Sequence, residues 1–150
     1  MKKKEQNFIE QNGINVIKPK NLTYPTSIHK VRKKLPTIYH MGQLFDYDNG
    51  IAVVGTRRNS ENGQLFAQNI GKLLSENNYK VVSGLAKGID TFAHSGCLEN
   101  NGLTIAVLAW FHELSPKSNK ELLEKIVETG CALSENLFSL PEEPKYEFLK

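Results

Sequence analysis

Four short, largely apolar runs, each bounded by polar or small residues, punctuate the chain after its first third. They occupy residues 51–54, 80–82, 104–109 and 131–134. Continuous apolar runs of this length are typical of strands that are buried on both faces of a parallel sheet. The sequence therefore predicts four strands, separated by segments long enough to hold helices.

Between the predicted strands, apolar residues recur at the three- and four-residue spacing of a helix. The three predicted helices run from after Ser60 to about Asn77, from 90 to 99, and through 122–127 to Gly130. The apolar residues that mark them are Phe66, Ile70, Leu73 and Leu74, then Ile89, Ala93 and Cys97, then Leu122, Leu123, Ile126 and Val127. Strands that alternate with helices require right-handed crossovers. This order predicts a Rossmann-like α/β fold, a mainly parallel sheet with helices on both faces.

Residues 1–45 lack this alternation and are predicted to form a short basic N-terminal extension, ahead of a Rossmann-like domain at 46–150. Up to Asn21 no periodicity is evident, which is typical of a weakly structured leader. Ile28, Val31 and Leu35 then share one helical face and predict a short amphipathic helix. Residues 1–49 hold nine Lys or Arg against four Asp or Glu. A Lys-rich terminus of this kind is usually a solvated tail.

The whole chain has an ordinary globular composition, with 39% hydrophobic and 23% charged residues. Its net charge of +3 is only mildly basic, so charge alone does not predict a nucleic-acid partner. No apolar run approaches the ~20 residues of a membrane span, and no signal-peptide pattern follows Met1, so we expect a cytoplasmic protein without a membrane partner. Cys97 and Cys131 lie far apart with no metal-ligand spacing, so we expect buried thiols and no metal.

The most distinctive loop follows the second predicted strand and reads Ser-Gly-Leu-Ala-Lys-Gly-Ile-Asp over residues 83–90. Its small residues let backbone amides approach a ligand, and the helix that follows presents a positive dipole end. Lys87 adds a charge that can reach a phosphate, and Asp90 stands where a first-turn carboxylate stabilises a helix. Glycine-rich turns also serve as plain connections in α/β proteins, so this loop alone leaves both interpretations open.

A second cationic loop, Gly-Thr-Arg-Arg over residues 55–58, follows the first predicted strand. In an open parallel sheet the carboxyl ends of the strands lie at one edge, where ligands bind. Arg57 and Lys87 are therefore predicted to converge as a clamp for a phosphate or a nucleic-acid backbone. Trp110 or Phe111, after the third strand, offers either a stacking face for a base or simple closure of the core.

Titratable side chains near this edge do not form a recognisable catalytic set. Asp90, Glu113 and Glu135 could pair as acid and base, but their spacing alone brings no two of them together. His94, one helical turn after Asp90, is compatible with a ligand contact or with a hydrogen bond to Asp90 or to a carbonyl. The motifs of serine hydrolases, nucleotide hydrolysis and dinucleotide binding are absent. We therefore expect a binding protein without a cofactor, and not an enzyme.

Taken together, several segments closely resemble the DprA/Smf family of DNA-processing proteins. They include Val-Val-Gly-Thr-Arg at 53–57, the loop at 83–90, Ala-His at 93–94, Ser-Glu at 134–135, and Tyr-Pro at 24–25. The likeness runs from about Leu22 to Phe148, and the two loops combined are far more specific than either alone. The resemblance implies a domain that binds single-stranded DNA, helps to load a RecA-type recombinase and serves natural transformation or recombination, with no known catalysed reaction.

The residues expected to bind DNA or phosphate are then Gly55, Thr56, Arg57, Ser83, Gly84, Lys87, Gly88, Asp90, His94 and Glu135. Two departures from the family pattern stand out. After the third strand the family usually has a Gly-containing segment and a Tyr-Pro pair, whereas residues 109–116 of this chain read Ala-Trp-Phe-His-Glu-Leu-Ser-Pro. The family also continues beyond Phe148 into an Arg-Asn-Arg motif that this chain does not reach. Part of the usual DNA site and dimer surface is therefore expected to be missing, and homodimerisation stays open.

A rival interpretation keeps the same fold but assigns a nucleotide-binding sensor or an enzyme that resembles the phosphoribohydrolases. The Pro-Gly-Gly-x-Gly-Thr motif of those enzymes is absent. Its absence disfavours the enzyme, but a loop that holds a DNA phosphate can equally hold the phosphate of a nucleotide.

Overall fold

The computed structural model of the protein describes residues 3–31, 33–44, 48–112 and 117–138. Within these ranges one sheet contains the strands β1 (Asn15–Ile17), β2 (Ile38–Gly42), β3 (Gly50–Ala52), β4 (Lys80–Ser83), β5 (Thr104–Val107) and β6 (Cys131–Ser134). The helices are α1 (Lys3–Gln11), α2 (Thr26–Val31), α3 (Glu61–Glu76), α4 (Ile89–Glu99) and α5 (Lys120–Thr129). The strand order across the sheet is β1-β2-β6-β5-β4-β3.

The four strands β3 to β6 are parallel neighbours, and a helix joins each of them to the next. They are the four strands that the apolar runs predict, although β5 ends at Val107. The expectation that the first of them is buried on both faces is wrong, because β3 is an edge strand of the sheet and all three of its residues are exposed. The helices α3, α4 and α5 are the three predicted helices, and Gly130 ends α5 as expected. The Rossmann-like, mainly parallel prediction is therefore confirmed.

Helices lie on both faces of the sheet. On one face Val81 packs with Ala93 of α4, and Ala106 packs with Ile126 of α5. On the other face Leu133 of β6 lies in a cluster that includes α2. This cluster joins Ile28 of α2 to Ile17 of β1 and Ile38 of β2. Val107, beside Leu133 in the register, is 44% exposed.

The helix α3 approaches α4 through small residues. Ala67 and Gly71 are buried, and a side chain at Gly71 would collide with the Ala93 carbonyl of α4. Phe66 and Leu73 are instead 68% and 52% exposed. Because α3 and α4 approach so closely, only small side chains fit between them. Phe66 and Leu73 turn outward, whereas Leu74 packs against the core cluster that contains Val81 and Ala93.

The N-terminal region is more ordered than its sequence predicts. The first 21 residues contain α1 and β1, so the expectation of a weakly structured leader is wrong. β1 pairs with β2, and β2 pairs with β6, both antiparallel. These short segments carry no period of their own, and their pairing with β6 orders them. The division at residue 45 stays a prediction, although segments from both sides of it share one sheet.

The amphipathic segment forms α2, which ends at Val31 and so stops short of Leu35. Leu35 nevertheless packs in the same cluster as Ile28. Both cysteines are buried and unbridged, as expected. Burial raises the pKa of the Cys97 thiol to about 11 and that of Cys131 to about 12. Within the described ranges, no helix combines the length and the apolar character needed to cross a membrane.

Candidate nucleic-acid interface

The two cationic loops predicted at the carboxyl edge of the sheet are joined directly. We call residues 55–58 and 83–90 together the double loop. The amide of Ile89 donates a hydrogen bond to the Thr56 carbonyl over 3.2 Å. Gly88 adopts a φ of +92° and lies so close to the backbone of Thr56 and Arg57 that no Cβ would fit. Only glycine combines that left-handed backbone with so close an approach, which explains why the sequence requires it there.

Asp90 fastens the double loop from beneath. One carboxylate oxygen accepts the amide of Gly84 at 3.0 Å, and the other accepts the amide of Gly55 at 3.4 Å. The Asp90 side chain is only 6% exposed. Ser83 is also buried and donates its hydroxyl to the Val53 carbonyl over 2.6 Å. Both residues were expected to bind phosphate, but in the structure their side chains are buried and hydrogen-bonded to backbone groups.

The exposed part of the double loop carries the positive charge. Thr56, Arg57 and Lys87 are all exposed, and Gly55 is exposed beside them. The Thr56 hydroxyl oxygen accepts the amide of Arg58 at 3.1 Å, which folds residues 56–58 into a tight turn. The structure thus brings the Arg57 loop and the Lys87 loop together on one surface, as the edge argument predicts.

Asn119 supports the double loop and was missed by the sequence analysis. Its side-chain amide donates to the Leu85 carbonyl at 2.9 Å and to the Thr91 hydroxyl at 2.8 Å. Thr91 in turn donates to the Ala86 carbonyl over 2.7 Å. Asn119 is 6% exposed and directly precedes α5. An asparagine before a helix normally indicates a cap, so nothing local signalled that its side chain reaches 34 residues back.

His94 lies in the core and not on the interface. Its side chain is fully buried, and Nδ1 lies 2.6 Å from the Thr104 hydroxyl oxygen. Because Thr104 donates its own proton to the Val81 carbonyl at 2.9 Å, its oxygen accepts from Nδ1–H of His94. Burial lowers the pKa of His94 to about 3. His94 is therefore neutral near pH 7 and has no surface for a ligand contact.

The remaining predicted positions fall on the neighbouring segments of the edge. Glu135 follows β6 and is exposed. Next to it, Ser134 and Asn136 both donate side-chain hydrogen bonds to the Ala109 carbonyl, at 3.1 and 3.3 Å. These bonds tie the end of β6 to the segment that follows β5. Glu113, a candidate for acid–base pairing, lies outside the described residues.

A comparison with protein families places the chain in one of them. The family model described as DNA recombination-mediator protein A matches residues 15–150. Among curated proteins, Protein Smf of Synechocystis is 35% identical over 132 residues, which cover 84% of this chain and 33% of that protein. The DNA processing protein DprA of Streptococcus pneumoniae is 42% identical over 102 residues, covering 65% of this chain and 34% of its own length.

Solved structures of DNA-processing proteins have folds similar to that of this chain. The crystal structure of DprA from Streptococcus pneumoniae aligns with a TM-score of 0.74 and 31% identity, covering 90% of this chain and 48% of that one. The DNA processing protein A of Helicobacter pylori, whose structure describes a single-stranded DNA binding mode, aligns with a TM-score of 0.70, 23% identity and coverage of 91% and 61%. The latter likeness supports the fold.

The present chain spans about a third of the length of the two curated relatives named above. Within that third lie both halves of the double loop and the sheet that positions them. The family model covers nearly all of this chain, from the start of β1 onward. The chain therefore belongs to the DNA recombination-mediator protein A family, whose members are called DprA or Smf.

Proposed function

We propose that this chain binds single-stranded DNA through its phosphates and takes part in DNA processing. The observation that carries the proposal is the double loop, because it presents Arg57 and Lys87 together at the carboxyl edge of a parallel sheet. Ligands of open α/β sheets bind at that edge. The single-stranded DNA binding of the Helicobacter pylori relative supports the same choice of ligand.

The chemistry of the double loop suits a phosphate better than a base. Arg57 and Lys87 supply charge-assisted donors, and the loop meets the start of α4, where the helix dipole is positive. The one carboxylate within the double loop, that of Asp90, is buried and faces backbone amides. It is therefore turned away from an approaching anion. No element of the double loop is shaped to read base edges, so we expect little sequence preference.

We further propose that DNA binding by this chain assists the loading of a RecA-type recombinase during recombination or natural transformation. The family description, which names a recombination mediator, supports this role. The proposal treats the chain as a binding protein that catalyses no reaction. An assembly assay that follows RecA filament formation on single-stranded DNA tests it. Addition of the chain should shorten the lag before filaments form. An unchanged lag would contradict the proposal that a RecA-type recombinase is the partner.

Titration of a fluorescent oligo-dT with the full chain at several salt concentrations tests DNA binding. Phosphate contacts release counterions, so the logarithm of affinity should fall linearly with the logarithm of salt concentration, by about 0.7 for each contact. A duplex of the same sequence and a thymidine mononucleotide are the comparison ligands. Affinity that ignores salt, or a mononucleotide that binds more tightly than the oligomer, would replace the DNA proposal with the nucleotide-sensor alternative.

A further inference from the structure

A cavity of about 370 Å³ lies between α1, β2, α5 and the segment that follows β5. We call it the aromatic pocket. Its size falls at the lower end of the range of small-molecule pockets, about 300–1,000 Å³. The residues that line it are Phe8, Asn12, Ile14, Met41, Leu108, Trp110, Phe111, His112, Lys120, Leu123, Glu124 and Val127.

The lining of the pocket contains aromatic rings, which belong to Phe8, Trp110, Phe111 and His112. His112 is exposed, and its ring centroid lies 5.8 Å from that of Phe8 and 5.2 Å from that of Phe138. A backbone hydrogen bond of 3.1 Å from the His112 amide to the Leu137 carbonyl holds the segment in place. The ammonium of Lys4 lies 5.6 Å from the centroid of Phe138. These rings are fixed by their neighbours before any ligand arrives, so a flat ligand can stack without first ordering them.

The charges around the pocket favour a neutral ring over a phosphate. Lys120 and Glu124 both line it, and their charged groups lie 3.9 Å apart. A cation and an anion side by side offer a donor and an acceptor without net charge. Such a pair can meet the polar edge of a heterocycle, whereas the carboxylate would repel a phosphate. The pocket therefore complements the double loop, which is cationic and has no stacking surface of its own.

The pocket and the double loop are also adjacent in the chain. Asn119 bonds the Leu85 carbonyl within the double loop, and the next residue, Lys120, lines the pocket. Trp110 and His112 follow β5, the strand next to β4, at the same carboxyl edge. A strand of DNA whose phosphates lie on the double loop would thus pass the mouth of the pocket.

We propose that the aromatic pocket receives a nucleobase, stacked against the rings around Trp110 and His112, next to the phosphates held by the double loop. This inference rests on the proposed function, since the base belongs to the strand that the double loop binds. A free nucleotide offers the same chemistry from a second source. Base stacking on aromatic side chains is tolerant of sequence, which agrees with a site that binds single strands generally.

Trp110 gives a direct measurement, because it is the single tryptophan of the chain and lines the pocket. The full chain is titrated with oligo-dT, with an abasic oligomer of equal length and with a thymidine mononucleotide, while Trp110 fluorescence and affinity are recorded. Oligo-dT should change the Trp110 emission and bind more tightly than the abasic oligomer. The abasic oligomer should bind through its phosphates and leave Trp110 unchanged. Equal affinities with no change in Trp110 overturn the pocket but leave DNA binding intact.

A variant pair separates stacking from general damage. His112→Ala should weaken oligo-dT binding about 5- to 150-fold, the range for loss of one stacked base, and leave abasic binding unchanged. Tyr79→Ala is the matched control, because Tyr79 is 42% exposed but precedes β4 at the opposite edge of the sheet. His112→Ala binding that equals Tyr79→Ala binding overturns the pocket. Failure of every oligomer to bind either variant or the natural chain overturns the proposed function itself.

The mononucleotide identifies the source of the base. A mononucleotide that alters Trp110 emission only at concentrations far above those of oligo-dT places the base within a DNA strand, as proposed. A mononucleotide that saturates the signal at or below the oligomer concentration overturns the strand as the source and assigns the pocket to free nucleotides.

Discussion

The surface of the double loop and the layer directly beneath it are built from different chemistry. The surface carries Arg57 and Lys87, both exposed. The layer beneath consists of buried polar side chains that are hydrogen-bonded to other groups of the protein. We call that set the under-layer, and its members are Ser83, Asp90 and Asn119.

The contrast separates residues that shape a site from residues that contact a ligand. An under-layer side chain already bonds the backbone that it supports, so its loss leaves buried polar groups without partners and lowers the free energy of unfolding. Removal of an exposed cation takes a phosphate contact with it, so its larger effect is expected on DNA binding. The loop at 83–90 contains both kinds of residue, since Lys87 is an exposed cation and Asp90, three residues later, is a buried supporting side chain.

The largest effect is expected at Asp90. Asp90→Ala removes the acceptor of the Gly84 and Gly55 amides, and we expect the free energy of unfolding to fall by about 2–4 kcal/mol, measured by urea denaturation. Glu128→Ala, an exposed change on α5, is the control and should have little effect. If Asp90→Ala unfolds at the same urea concentration as the control, the under-layer does not hold the double loop.

Arg57 is expected to give the largest effect on binding. Arg57→Ala should weaken oligo-dT binding by about 1–3 kcal/mol and flatten the salt slope by about one contact, because a charge-assisted phosphate bond is lost. Arg58→Ala is the matched control and should do much less. Melting temperatures are recorded for both variants. An Arg57→Ala protein that melts several degrees lower, yet binds oligo-dT with unchanged affinity and slope, would assign Arg57 to the under-layer instead.

We expect the buried His94 to make the free energy of unfolding, and not DNA binding, depend on pH. Its pKa is lowered to about 3 in the folded protein from an ordinary value near 6.5, so the unfolded chain binds one more proton between those values. The free energy of unfolding should therefore decrease as pH falls below about 6.5, by about 1.4 kcal/mol for each pH unit. Denaturation between pH 7 and 5 measures the slope. His94→Gln should remove this contribution, whereas the exposed His112→Ala should retain it; equal slopes in the two variants would contradict the assignment.

The smallest effect is expected at Lys87. A lysine ammonium is a mobile point charge with none of the planar geometry of arginine, so Lys87→Ala should weaken oligo-dT binding about 2- to 5-fold and reduce the salt slope by about 0.7. Lys125→Ala, an exposed change on α5, is the control. A Lys87→Ala protein that keeps the full slope would leave Arg57 as the cation that carries phosphate binding in the double loop.

The sequence by itself determined the parallel half of the fold and the location of its binding edge. Continuous apolar runs and helical spacing are local patterns, and they were sufficient for β3 to β6 and for α3 to α5. Because parallel strands share a carboxyl edge, the placement of the Arg57 loop and the Lys87 loop on one edge followed from the alternation of strands and helices along the chain. The family also followed from these two loops.

Only the tertiary structure decided which side chains face the ligand. Asp90 and His94 carry chemistry that suits a binding site, yet both are buried, because the close approach of α4 to the sheet turns them inward. Asn119 acts on a loop 34 residues earlier, a distance that no local pattern spans. The strands β1 and β2 depend on pairing with β6, and the outward turn of Phe66 depends on the close contact of α3 with α4. Each of these outcomes is set by a neighbour that is distant in the sequence, and spacing along the chain carries no record of it.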